Sequence, residues 1–85
     1  MTTKTKIIYD DLKARYKKSV LSKEEYASEV GQSLSTIDKR MKDSLGVPPY
    51  KKLGSAKNAK VVFNIIDVAE FLADTVKVVA WVQHL

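Results

Sequence analysis

Apolar residues recur at helical spacing near the start of the chain. Ile8, Tyr9, Leu12, Tyr16 and Val20 share one arc at about 100° per residue, and Asp10, Lys13, Lys17 and Lys18 take much of the remainder. The spacing predicts an amphipathic helix over residues 5–19. The stretch Ser19-Val20-Leu21-Ser22 mixes turn-forming and β-branched residues and reads as a break. Ser22 with Glu25 three residues on forms an S-x-x-E capping box, which predicts a short helix from Lys23 to Val30 with Tyr26, Ala27 and Val30 inward. Gly31 can take the left-handed conformation that ends a helix and turns the chain. The cap signal then repeats, with Ser35 as cap and Asp38 at the reciprocal position. A second helix is expected from Thr36 to about Ser44, with Ile37, Met41 and Leu45 on its inner side. Gly46 is expected to end it, and Pro48-Pro49 forbid continuation.

The period changes after Pro49. Tyr50–Leu53 and Lys60–Phe63 read as two short strands around the polar loop 54–59, a hairpin with a basic tip. Asn64 is a further helix cap, with Asp67 at the reciprocal position. Ile65, Val68, Ala69, Phe71, Leu72 and Ala73 then share a broad apolar arc, with Ile66 at its edge and Asp67, Glu70 and Asp74 opposite. Beyond Asp74 the pattern fits either a β-branched strand or a helical extension. Trp81 would fall on the polar side of such a helix, which argues against one running to the end unless a partner covers it.

Length and composition narrow the classes. Eighty-five residues, 45% of them hydrophobic, suffice for one small folded domain and leave little room for a second. Its expected parts are the helix 5–19, a core over 20–73 and a tail over 74–85. The chain contains no Cys, so it has no disulfide, thiolate metal site or cysteine nucleophile. Its single His, His84, lies next to the end, which leaves no basis for a histidine zinc site or a Ser-His-Asp triad. Asp10-Asp11 and Glu24-Glu25 lack a third ligand at metal spacing, and Glu24-Glu25 suit the positive end of a helix. No Gly-rich phosphate loop is present. The expectation is therefore no catalytic residues, no metal and no cofactor. No apolar run reaches signal-peptide or membrane-spanning length, so a cytoplasmic, nucleoid-associated protein without a membrane partner is expected.

Charge sharpens this. Lys and Arg number 15 against 10 Asp and Glu, a net charge of +5. Residues 1–22 carry a net +4 and residues 46–64 another +4, while residues 23–45 carry −1 and residues 65–85 carry −2. A small basic domain without catalytic groups suits a polyanionic partner.

Two capped helices around a Gly turn, followed by a basic hairpin and a third helix, have the layout of a winged helix-turn-helix. In that layout the second helix enters the major groove and the hairpin reaches an adjacent phosphate or the minor groove. The expected fold class is thus mainly α with a small β-hairpin. On helix 36–44, Lys39 and Arg40 suit guanine or phosphate, and Ser33, Ser35 and Thr36 suit phosphate or base hydrogen bonds. Asp43 departs from an ideal DNA-facing surface. In the hairpin the candidates are Tyr50, Lys51, Lys52, Lys57, Asn58 and Lys60, whose backbone contacts would carry affinity without sequence information.

At this point the chain resembles a family. Ser22-Lys23-Glu24-Glu25-Tyr26-Ala27-Ser28-Glu29-Val30-Gly31-Gln32-Ser33-Leu34-Ser35-Thr36-Ile37 is similar to the opening of MerR-like winged-helix modules, including phage and mobile-element excisionases and AlpA-type regulators. Pro49-Tyr50-Lys51-Lys52-Leu53-Gly54 resembles their approach to the wing, and Phe63-Asn64-Ile65-Ile66-Asp67-Val68-Ala69-Glu70-Phe71-Leu72 resembles their post-wing helix. The resemblance covers about residues 20–73. It implies sequence-specific binding to double-stranded DNA and a role as a transcriptional regulator or an excisionase-like recombination directionality factor. A homo-oligomer on DNA, and contact with a recombinase or other DNA-bound protein, are expected partners. The rival class is a protein-interaction module, antitoxin-like or an adaptor, working through the tail. Val79, Trp81 and Val82 are the candidate oligomer or partner surface in either case.

Overall fold

The computed structural model describes residues 1–55 and 59–83, with side chains described as far as Asp74. The described residues form four helices and a small antiparallel sheet. In chain order they are α1 (Thr3–Tyr16), β1 (Val20–Ser22), α2 (Lys23–Val30), α3 (Leu34–Lys42), β2 (Lys51–Leu53), β3 (Lys60–Asn64) and α4 (Ile65–Gln83). The sheet order is β1-β3-β2, with both pairings antiparallel.

α1 starts earlier and stops earlier than its hydrophobic spacing predicts. Thr2 caps it, its hydroxyl accepting from the Thr5 N–H at 3.1 Å. Lys17 then turns left-handed at φ 56°, and its N–H closes on the Lys13 carbonyl. Val20 therefore leaves the helix. The stretch read as a break is instead a strand, with Leu21 fully buried opposite Phe63. Three residues are too short to show a period, so this strand is set by its partner β3.

α2 forms as its capping box predicts. The Ser22 hydroxyl accepts from the Glu25 N–H at 3.1 Å, and the Glu25 carboxylate accepts from the Ser22 N–H at 2.8 Å. Gly31, at φ 66°, ends the helix. Its N–H bonds to the Ser28 carbonyl and the Gln32 N–H to the Ala27 carbonyl, the paired bonds of a Schellman turn.

α3 begins two residues before the expected place. The cap is Ser33, whose hydroxyl accepts from the Thr36 N–H at 3.2 Å, while Ser35 lies inside the first turn. Asp38 does not close a box; it accepts from Lys23 Nζ at 2.6 Å. The helix ends at Lys42, before Gly46, and Ser44 turns left-handed at φ 53°. Leu45, expected inward, is consequently 74% exposed.

The core gathers Leu12, Leu21, Tyr26, Ala27, Ile37, Phe63, Ile65, Val68 and Ala69. The Tyr26 ring stacks on Phe63 with centroids 4.5 Å apart and meets the edge of Phe71 at 6.4 Å. The Asn64 carbonyl oxygen of the side chain accepts from the Ile66 N–H at 2.8 Å and so caps α4 as expected. The backbone of α4 stays helical to Gln83, so the tail is helix as far as the described residues reach, past the position of Trp81. α1 and α4 pack together, α4 also meets β3, and α2 packs against β1, β3 and α3. Among the described residues, no helix is long and apolar enough to cross a membrane.

Candidate functional site

The exposed side of α3 follows from its geometry. Ile37 is buried and Met41 half-buried, so the residues about 180° away point outward. Ser35 and Lys39 lie nearest that outward line. Lys42 and Asp38 fall on one flank, Thr36 and Arg40 on the other. Ser33, Ser35, Lys39 and Arg40 are exposed, and Thr36 is half-buried. The hydroxyls at the start of the helix are joined, Ser33 Oγ lying 3.1 Å from Ser35 Oγ and 2.9 Å from Thr36 Oγ1.

Arg40 is less free than its exposure implies. Its guanidinium lies over Gly46, where a Cβ would stand 2.7 Å from Nη1. Gly46 also holds φ 75°, a conformation side chains rarely adopt. The Tyr26 hydroxyl is pushed up to about 12 by burial, and the nearby Arg40 charge opposes that rise.

Register separates the bases of the hairpin. Lys52 pairs with Val61 and therefore shares the face of Phe63 and Leu21. Lys51, opposite Val62, and Lys60, opposite Leu53, lie on the other face. Lys52 thus turns toward α3, while Lys51 and Lys60 stand on the outer face beside the exposed Leu53 and Val20. Tyr50 is 37% exposed and rests on Phe63, with ring centroids 5.9 Å apart. Lys57 and Asn58 lie outside the described residues. Val79, Trp81 and Val82 fall within the backbone of α4, but their side chains lie outside the described ones.

The ion pairs divide the bases into two groups. Lys6 pairs with Asp10 at 2.9 Å, Arg15 with Asp11 at 2.8 Å and Glu29 at 2.7 Å, and Lys18 with Glu25 at 2.8 Å. Two of these pairs lie within α1, and two, Arg15–Glu29 and Lys18–Glu25, fasten the N-terminal segment to α2, while Lys4, Lys13 and Lys17 make no ion pair among the described residues. Arg15 grips Glu29 with both terminal nitrogens, and the Tyr16 hydroxyl also donates to Glu29. The Arg15 guanidinium, aided by Tyr16, holds the Glu29 carboxyl below the usual range against the opposing effect of burial. The hydrogen bond to Glu29 and burial both raise Tyr16. Lys39, Arg40, Lys42, Lys51, Lys52 and Lys60, by contrast, make no ion pair among the described residues.

Lys42 was not among the sequence candidates. It sits at the end of α3, and the chain order gives no sign that the hairpin passes beside it. Lys42 and Lys52 line one open cleft between α3 and β2–β3. The structure therefore brings Lys42 and Lys52 to one cleft, with Lys39 on the exposed side of the same helix and the hydroxyl cluster at 33–36 at its start, whereas Lys51 and Lys60 lie on the other face of the sheet. Such an array can hold a polyanion. Asp10, Asp11 and Glu25 are occupied by basic partners, and no group of three metal-ligating side chains exists among the described residues. Comparison with family models, curated proteins and solved structures gives no match.

Proposed function

We propose that the chain is a winged helix-turn-helix domain that binds double-stranded DNA. The observation that carries this reading is the division of charge. Of the six bases in residues 1–22, Lys6, Arg15 and Lys18 are in internal pairs, whereas every described base of α3 and the hairpin is exposed and without an ion pair among the described residues. Unpaired cations on a helix face and an adjoining hairpin are the electrostatic footprint of a duplex reader. The element order supports it too. β1 stands between α1 and α2 and pairs with the second hairpin strand, α2 packs on α3, and the β2–β3 hairpin follows α3 in the chain, where a wing would come.

In this reading α3 lies in the major groove. Ser35 and Lys39 face the bases, with Arg40 joining them by swinging off Gly46. Lys42 and Lys52 contribute backbone contacts, as do Ser33 and Thr36, while Lys51 and Lys60 on the outer face of the hairpin add only long-range attraction. The resemblance to MerR-like modules extends the reading to a small cytoplasmic, nucleoid-associated regulator or excisionase-like factor. It works without catalysis, as side-by-side copies or next to a recombinase, because one such module reads few base pairs.

Selection of bound duplexes from a random pool tests it. A single enriched motif is expected, with affinity falling steeply as salt rises. Lys39→Ala with Arg40→Ala should cost about 1–3 kcal/mol per lost base contact and relax the motif, read by electrophoretic shift. No enrichment together with a flat salt response overturns the proposal.

A further inference from the structure

The cleft between α3 and the hairpin combines features the fold alone does not require. It encloses about 460 Å³ and is lined from α3 by Asp38, Met41 and Lys42, and from the hairpin side by Tyr50, Lys52 and Val61. Lys52 occupies a strand position on the core side of the sheet, in line with Phe63. An apolar residue would ordinarily stand there. A lysine can be accommodated because its carbon stem can lie along Val61 and Met41 while the ammonium stays wet. Lys42 comes to the same cleft from the last position of α3. Neither ammonium has an anionic partner among the described residues. The remaining base, Lys23, is satisfied by Asp38 at 2.6 Å, which also masks the one carboxylate lining the cleft. Tyr50, braced on Phe63, adds a hydroxyl that can donate.

We infer that this cleft is a phosphate subsite, in which Lys42, Lys52 and the Tyr50 hydroxyl receive one tetrahedral phosphate group. Its physiological source, a backbone phosphate of duplex DNA, rests on the reading given above; the same chemistry would accept free inorganic phosphate. Two ammonium groups from different elements would tie the end of α3 and the wing to one phosphate. That sets the angle at which the two enter adjacent grooves. Asp38 opposes the anion, and Lys23 reduces that opposition by holding it.

The test uses the full chain, Lys42→Ala/Lys52→Ala and Asp38→Asn, each checked for folding by circular dichroism. In one arm sodium phosphate is titrated while amide resonances are followed. Shifts should concentrate at residues 42, 50, 52 and 61, weaken about tenfold or more in the double lysine variant, and strengthen severalfold in Asp38→Asn. In the other arm duplex DNA is titrated at several salt concentrations. The double lysine variant should bind every sequence more weakly, keep the same motif, and lower the slope of log affinity against log salt by about 1. Localised phosphate shifts without DNA binding would keep the subsite and refute the DNA reading. A reduced salt slope without localised shifts would assign the subsite to the DNA backbone alone. Phosphate shifts spread evenly over all lysines, with an unchanged salt slope in the double variant, overturn the subsite and leave the DNA reading standing.

Discussion

Glu29 is the residue on which the α1–α2 junction converges. Its side chain is 14% exposed and accepts from both terminal nitrogens of Arg15 and from Tyr16. Glu29→Gln keeps the shape and removes the charge. It should cost about 1–2 kcal/mol by urea unfolding, toward the lower end because Arg15 is half-exposed. The acid dependence follows from the sign of the shifts. Glu29 is held below the usual carboxyl range by Arg15, and Glu25 by Lys18 and the Ser22 N–H. Both are more acidic folded than unfolded. Their contribution is full above the ordinary carboxyl value of roughly 4.3 and is lost as pH falls through the depressed folded values. Stability should therefore decline below about pH 4.5, and Glu29→Gln should flatten that decline. An unaltered acid profile in this variant would show that the pair contributes nothing. Nothing at positions 15 and 29 announces this partnership in the sequence, because the two residues lie on different helices and their approach depends on how α1 crosses α2.

Element by element, the caps were legible and their exact frame was not. Ser22 and Glu25 form the expected box, and Gly31 the expected turn. Ser33 and Ser35 are both capable caps two residues apart. The choice fell on Ser33, where the Schellman turn at Gly31 delivers the chain, and Asp38 was drawn off by Lys23. Ser33→Ala should lower the midpoint by an amount corresponding to about 1 kcal/mol, and Ser35→Ala by a few tenths at most, in paired thermal melts. Equal losses would contradict the assignment of the cap. The strand β1 was illegible for a different reason. Val20–Ser22 has no periodicity of its own and becomes a strand because Phe63 and Val62 stand opposite. The hairpin strands and the inner face of α4 were read from period and β-branching, and their register adds that Lys51 and Lys52 face opposite sides.

At the scale of the whole molecule, one apolar cluster holds α1, α2, α3, the sheet and α4 together. Phe63 sits fully buried at its centre, stacked with Tyr26 and touched by Tyr50. Phe63→Ala should cost about 3–5 kcal/mol, out of a total that for a domain of this size is roughly 5–10 kcal/mol. Denaturant unfolding should therefore show a far lower midpoint or a partly unfolded variant at 25 °C. A loss under 1 kcal/mol would mean that the packing around the ring is not that of the native core. The same packing decides which charges remain available, since it brings Glu25 and Glu29 against Lys18 and Arg15 and leaves the bases of α3 and the hairpin without ion pairs among the described residues.

Local pattern was enough for the mostly helical class, the turn at Gly31, the hairpin and the apolar face of α4. Those depend on periodicity, caps and backbone preference within a few residues. The third strand, the true start of α3, the exposure of Leu45, the cover of Arg40 over Gly46 and the meeting of Lys42 with Lys52 depend on which distant segments come into contact. A net charge of +5 can be counted along the chain, and the i,i+4 pairs of α1 follow from its helical spacing, but the pairs Arg15–Glu29, Lys18–Glu25 and Lys23–Asp38 required the packed elements, because they depend on distances in space.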